Sequence, residues 1–102
     1  MKFEEHCERS ENMLGDRFEQ VHIWLDHYAW IPSTPTTEAS YDPTHRRHRH
    51  HFKGIMEVWH RWGKDAAIAA TRHVLDDLHG PVCNDVYKIP ADEKDYVLKG
   101  FG

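Results

Sequence analysis

His22 and Asp26 stand four residues apart, and so do His73 and Asp77. On a helix that spacing puts both side chains of a pair on one face. Each pair can then aim an imidazole and a carboxylate at a common point. The same geometry carries the paired histidines of helical metalloprotease motifs and the inward Glu/His ligands of metal-binding bundles. A third source of donors is the stretch THRRHRHHFKG, Thr44 to Gly54, which gathers four histidines, three arginines and a lysine. Within it His45, His48 and His51 recur at helical spacing. Neutral imidazoles and carboxylates converging from three helices form a donor set suited to Zn, Mn, Fe or Ni. The candidate ligands are His22, Asp26, His45, His51, His73 and Asp77. A lone His/Asp pair on a helix is commonly just a surface hydrogen bond, so the case for a site rests on the three groups together. If such a site is catalytic, metal-assisted attack of water on a phosphate ester is its natural chemistry; with every position filled it is structural.

The arginines of the same stretch raise a separate question. The chain carries a formal net charge of -4, yet residues 44 to 53 hold Arg46, Arg47, Arg49 and Lys53 and no acid. Residues 1 to 26 hold seven acids against three bases. This asymmetry fits pairing between two parts of the fold, or an anionic partner for the middle segment. Arginine forks match phosphate oxygens bidentately, which makes Arg46, Arg49 and His50 the candidate anion-binding residues. The negative net charge and the absence of a helix-turn-helix glycine pattern argue against duplex DNA and leave a small anionic ligand. A rival reading is a non-enzymatic accessory protein, of the kind a phage encodes, that grips a nucleotide or the acidic surface of a host protein. In a third, the histidines satisfy each other in a metal-free core and the protein acts by assembling with itself.

The elements that must position these residues are helical. Phe3 to Leu14 reads as a first, weakly amphipathic helix closed by Gly15. Asp16 to Trp30 carries the stripe Phe18, Val21, Leu25, Tyr28 and Ala29, with Pro32 as its stop. A loop follows, and Asp42-Pro43 opens a third helix. That helix is expected to run to Trp62, with His48, Phe52, Ile55, Trp59 and Trp62 on its inner stripe. Lys64 to Leu78 makes a fourth, with Asp65 as cap and Ala67, Ala70, Val74, Leu75 and Leu78 inward. Ala91 to Leu98 makes a short closing helix, and VCNDVYKI is the one weak strand candidate. All 102 residues are expected to form a single domain, an all-α bundle of about four helices plus that C-terminal helix. The four tryptophans are read as core rather than as a stacking platform for bases.

Taken in order, His6; His22, Trp24 and Asp26 in VHIWLD; His45, Arg46, Arg49, His50, His51, Gly54 and Ile55 in HRRHRHHFKGI; His73, Val74, Asp77 and Leu78 in RHVLDDLHG; and Ile89-Pro90 give the chain a pattern. It resembles a family of short, histidine-rich bacterial and phage proteins of undefined function. The histidine-arginine block is the most specific part. The chain departs from the family in a longer loop from Pro32 to Asp42, a shorter link from Trp62 to His73, and His79 before Gly80. The resemblance implies no activity, but it marks the residues that the spacing marks. Two distant cysteines, Cys7 and Cys83, form no C-x-x-C pair. No signal peptide or transmembrane run is visible, and a cytoplasmic location is the expectation.

Overall fold

The computed structural model describes residues 1–31, 35–36 and 38–101. Among them lie five α-helices: α1 (Phe3–Leu14), α2 (Glu19–Leu25), α3 (Phe52–Trp62), α4 (Lys64–His79) and α5 (Glu93–Leu98). Short 3-10 turns lie at His27–Ala29, His45–His48 and Val86–Lys88. The only strands among the described residues are two-residue segments, β1 (Trp30–Ile31) and β2 (Ser40–Tyr41), paired antiparallel with Trp30 opposite Tyr41. The fold is all-α, as the helical periodicities imply. VCNDVYKI forms no strand and contains the 3-10 turn Val86–Lys88.

α4 is the central element. Ala66, Ala67, Ala70, Val74 and Leu75 are buried along it, and its small residues let neighbouring backbones approach closely. α3 folds back on α4 through Gly63, whose φ of 93° suits only glycine without strain. α2 brings Val21 and Leu25 onto the same core, and Ile55 and Val58 complete it from α3. α1 is different: its buried face is His6, Cys7 and Ser10. It therefore docks through polar groups that need partners, not through an apolar stripe.

Two expected helices are cut short. The second stops at Leu25, where Asp26 caps it with its backbone N–H on His22 and Trp24 carbonyls. Pro32 as its stop lies outside the described residues. The third is the larger departure. From Asp42 the chain makes only the 3-10 turn His45–His48, breaks at Arg49, and restarts with His51 as N-cap of α3. The expected stripe is therefore out of phase. Ile55 is buried, but Phe52 and Trp59 are about half exposed, at 55% and 48%, and Trp62 is exposed too. Val58, not a tryptophan, fills the core position. Trp24 stacks under the Arg49 guanidinium, 3.9 Å from the ring centre, and meets the edge of Trp62. Trp24 and Trp62 thus meet at the margin of the core, against which Trp24 packs, while Phe52 and Trp59 stay half exposed; the side chain of Trp30 lies outside the description. At α4 the cap is Gly63, without a side-chain hydrogen bond, in place of Asp65.

An ion network ties α1 and the 80–85 loop to α4. Asp76, fully buried at its side chain, accepts two hydrogen bonds from Arg9 and one from Arg72. Arg72 also donates to the Asn84 side chain and the Cys83 carbonyl. Asp76 sits next to Asp77 in sequence but faces the opposite task, as the site shows.

Candidate metal centre

Three separate segments deliver four donor atoms to one place. Asp26 comes from the end of α2, His50 from the break before α3, and His73 and Asp77 from one face of α4. His50 Nε2 lies 2.8 Å from Asp77 Oδ2 and 3.4 Å from Asp26 Oδ1. His73 Nε2 lies 3.2 Å from Asp77 Oδ2, 3.5 Å from Asp26 Oδ1 and 3.1 Å from His50 Nε2. Donors about 2.0–2.1 Å from a tetrahedral ion are about 3.3 Å from one another. The observed separations scatter around that edge. The His50 and His73 rings are inclined by 64°, so their lone pairs can converge on a point between them. Held by protons alone, the same four atoms would pack two imidazole N–H donors edge to edge.

His45 adds a constraint. Its Nδ1 lies 2.9 Å from the Asp42 carbonyl, an acceptor only, so Nδ1 carries the proton. The opposite nitrogen, Nε2, lies 3.2 Å from Asp26 Oδ1. A neutral His45 would set two lone pairs against each other there, and a cation between them, proton or metal, removes the conflict.

A second histidine group, His6, His22 and His73, also lies close together. Its rings are nearly parallel: His6 stacks on His73 with centroids 3.6 Å apart and planes inclined by 13°. A ligated ion lies in the plane of its imidazole, and stacked planes share no such point. These residues serve as supports. His6 Nε2 donates to Asp77 Oδ1 at 3.1 Å, leaving Oδ2 toward the cluster. Arg46 reaches Asp77 from the other side, with NH2 3.5 Å from Oδ1 and NH1 on the backbone carbonyl.

Six of the nine residues singled out in the sequence thus meet at or beside this cluster: Asp26, His45, Arg46, His50, His73 and Asp77. His50 is found among the would-be metal donors rather than with an anion site. His22 is buried and contacts His73 instead of Asp26. His51 and Arg49 are placed elsewhere. His51 caps α3, donating from Nε2 to the His48 carbonyl and accepting the Gly54 N–H at Nδ1. Arg49 donates to the Trp24 carbonyl at the open C-terminal end of α2. Both line a larger groove, about 690 Å3, that holds none of the clustered donors. His6 is the supporting residue that spacing did not bring out. Cys7 is buried and unpaired by any disulfide, and burial pushes its thiol pKa up, which makes it a poor nucleophile.

Compared with family models, curated proteins and solved structures, the chain matches none. The site must be read from its own geometry. No helix among the described residues is long and apolar enough to cross a membrane.

Electrostatics follow from burial and convergence. Burial opposes ionising Asp77, but hydrogen bonds from His50, His6 and His73 outweigh it and hold the carboxyl well below the usual range. Burial opposes ionising Asp26 as well, but its hydrogen bond to His73 and the charges of His73 and His50 together outweigh burial and lower it. Burial lowers His22 to about 3 and His50 to about 4, and lowers His6 and His51 as well. Burial also opposes charging His73, yet its bonds to Asp26 and Asp77 raise its pKa.

These shifts set the acid response of the metal-free protein. A histidine with a lowered folded pKa stabilises the fold above its unfolded value, 6.5, and that contribution is lost as pH falls toward the folded value. Four histidines act in this sense; His73 alone acts in the other, its contribution lost as pH rises above 6.5. The carboxylates act only below 3.8. Thermal unfolding of chelator-treated protein should therefore drop by more than about 5 °C between pH 7 and pH 4.5, ahead of the carboxylate range. A flat melting temperature over that interval would contradict the buried, neutral state assigned to His6, His22 and His50.

Proposed function

We propose that the protein binds one divalent metal ion through Asp26, His50, His73 and Asp77, with His45 as a further donor, and takes a phosphorylated ligand beside it. The observation that carries this reading is the polygon of four donor atoms, spaced 2.8 to 3.5 Å, drawn from three separate parts of the chain. Carboxylates with imidazoles suit Zn, Mn or Fe better than a soft, thiolate-preferring ion.

A cleft of about 540 Å3 opens onto the cluster. Asp26 and Asp77 lie in its lining, Arg46 and Lys2 supply positive charge, and Phe3, Ile23 and Tyr41 supply apolar surface. Asp26 is 29% exposed at its side chain while Asp77 is 2% exposed, so the cluster is reachable from one side. An anion with an apolar or aromatic body fits that lining: oxygens toward the floor, body against Phe3 and Tyr41. A divalent ion on the floor would supply Lewis acidity toward a phosphoryl oxygen. Arg46 would neutralise a second oxygen. The grip of an exposed arginine patch on a macromolecule has less support. Arg47 pairs with Glu93 and the Thr44 hydroxyl, Arg49 is engaged with the Trp24 carbonyl, and Arg46 lines the cleft instead of an exposed patch.

Titrating inorganic phosphate into Zn-loaded or Mn-loaded protein tests the reading, with p-nitrophenyl phosphate as the probe of turnover. Phosphate binding should require the metal and weaken at least about tenfold in Arg46→Ala, a loss of about 1.4 kcal/mol. Phosphate affinity that is the same with chelator, or the same in Arg46→Ala, would overturn the ligand assignment.

A further inference from the structure

We propose that Ser10 and His22 are positioning residues for the metal centre: a buried chain from Ser10 through His22 to His73 holds the ring and supports the tautomer in which His73 can ligate. The inference rests on the metal reading above. His22 Nδ1 lies 2.8 Å from His73 Nδ1, and His22 Nε2 lies 2.8 Å from Ser10 Oγ. All three side chains are buried, at 1 to 2% exposure. The His22 and His73 planes are inclined by only 16°, with centroids 5.1 Å apart. The two rings therefore meet edge to edge, where an in-plane N–H can reach an in-plane lone pair.

A neutral imidazole has one N–H and one lone pair, and this makes the chain directional. For His73 Nε2 to offer its lone pair to an ion, its proton must sit on Nδ1. That N–H donates to His22 Nδ1, which must then be the acceptor. His22 accordingly carries its own proton on Nε2 and donates it to Ser10 Oγ, which accepts. In the opposite sense Ser10 donates to His22, His22 donates to His73, and the last proton sits on Nε2, in the metal position. Only one direction is compatible with a metal ligand, and the serine hydroxyl can terminate it. His6, stacked on the face of His73, holds the ring plane. Orienting partners of this kind change metal affinity by about 10–100-fold.

The test uses full-length protein labelled with 15N at histidine, with Zn as the probe. Long-range 1H–15N spectra of the Zn-loaded protein should show His73 protonated at Nδ1 and His22 at Nε2. Ser10→Ala should weaken Zn binding by about 10–100-fold in a chelator competition, and Ser10→Thr, which keeps the hydroxyl, should restore it to within a few-fold. Zn bound with His22 protonated at Nδ1, or Zn bound equally well by Ser10→Ala, would overturn this proposal while leaving the metal reading standing. No Zn binding at all would overturn both. Should Ser10→Ala fold poorly, the tautomers of the wild-type protein decide.

Discussion

Replacing Asp77 by asparagine should lower metal affinity by more than about 100-fold, beyond the loss expected from any supporting residue. Its Oδ2 is the acceptor nearest both His50 Nε2 and His73 Nε2, while Oδ1 is held by His6. An amide keeps the shape but loses the charge that balances a divalent ion, and one edge of it presents N–H groups to the donors. The neighbouring substitution provides the contrast. Asp76→Asn leaves the guanidinium groups of Arg9 and Arg72 without their buried counter-charge. Breaking a buried pair in this way costs about 3–5 kcal/mol. It should lower the melting temperature sharply and leave the metal affinity of the folded protein within a few-fold. Chelator competition and thermal unfolding on both variants separate the roles. Equal metal affinity in Asp77→Asn and wild type would remove Asp77 from the centre.

The second large effect is expected at Gly54. Helix propensity alone says that Gly54→Ala, inside α3, should stabilise by about 1 kcal/mol. The local packing says the reverse. A Cβ there would lie 2.1 Å from the Arg49 carbonyl oxygen and 2.9 Å from its carbonyl carbon. Both are backbone atoms, so the chain at Arg49 must move, and His50 is the next residue. Overpacking of this kind costs about 1–3 kcal/mol or more, which exceeds the propensity gain. Gly54→Ala should therefore destabilise the protein and, by displacing His50, weaken metal binding at least tenfold. Lys53→Ala, exposed one residue earlier, should do neither. A stable Gly54→Ala protein with unchanged metal affinity would show that the break before α3 does not set the position of His50.

These two sites also show where the sequence is informative. His73 and Asp77 lie on an uninterrupted helix, so their four-residue spacing translates directly into shared orientation. His22 and Asp26 have the same spacing, but α2 ends at Leu25, and the two side chains part: one toward His73 and Ser10, the other toward His50. In the third segment the phase is wrong because the helix is not continuous. Apolar periodicity cannot report a break at which one carbonyl lies over one glycine. The break exchanges neighbours, turning His50 inward as a donor and leaving His51 as a cap. α1 shows a different limit. Its boundaries were legible from Gly15 and the composition, and they match the structure. Its buried face was not, since His6, Cys7 and Ser10 give a weak hydrophobic signal although they are almost completely enclosed. A polar face is buried where its partners, Asp77 and His22, are already fixed, and that information lies in residues distant along the chain.

The central claim is that an ion belongs between Asp26, His50, His73 and Asp77. Elemental analysis of untagged protein, purified without chelator and then titrated with Zn, Mn, Ni and Fe(II), tests it most directly. The account predicts about one equivalent of a divalent metal, removed by chelator, restored on titration, and accompanied by a rise in melting temperature. Metal-free protein whose melting temperature is unmoved by all four ions would contradict it.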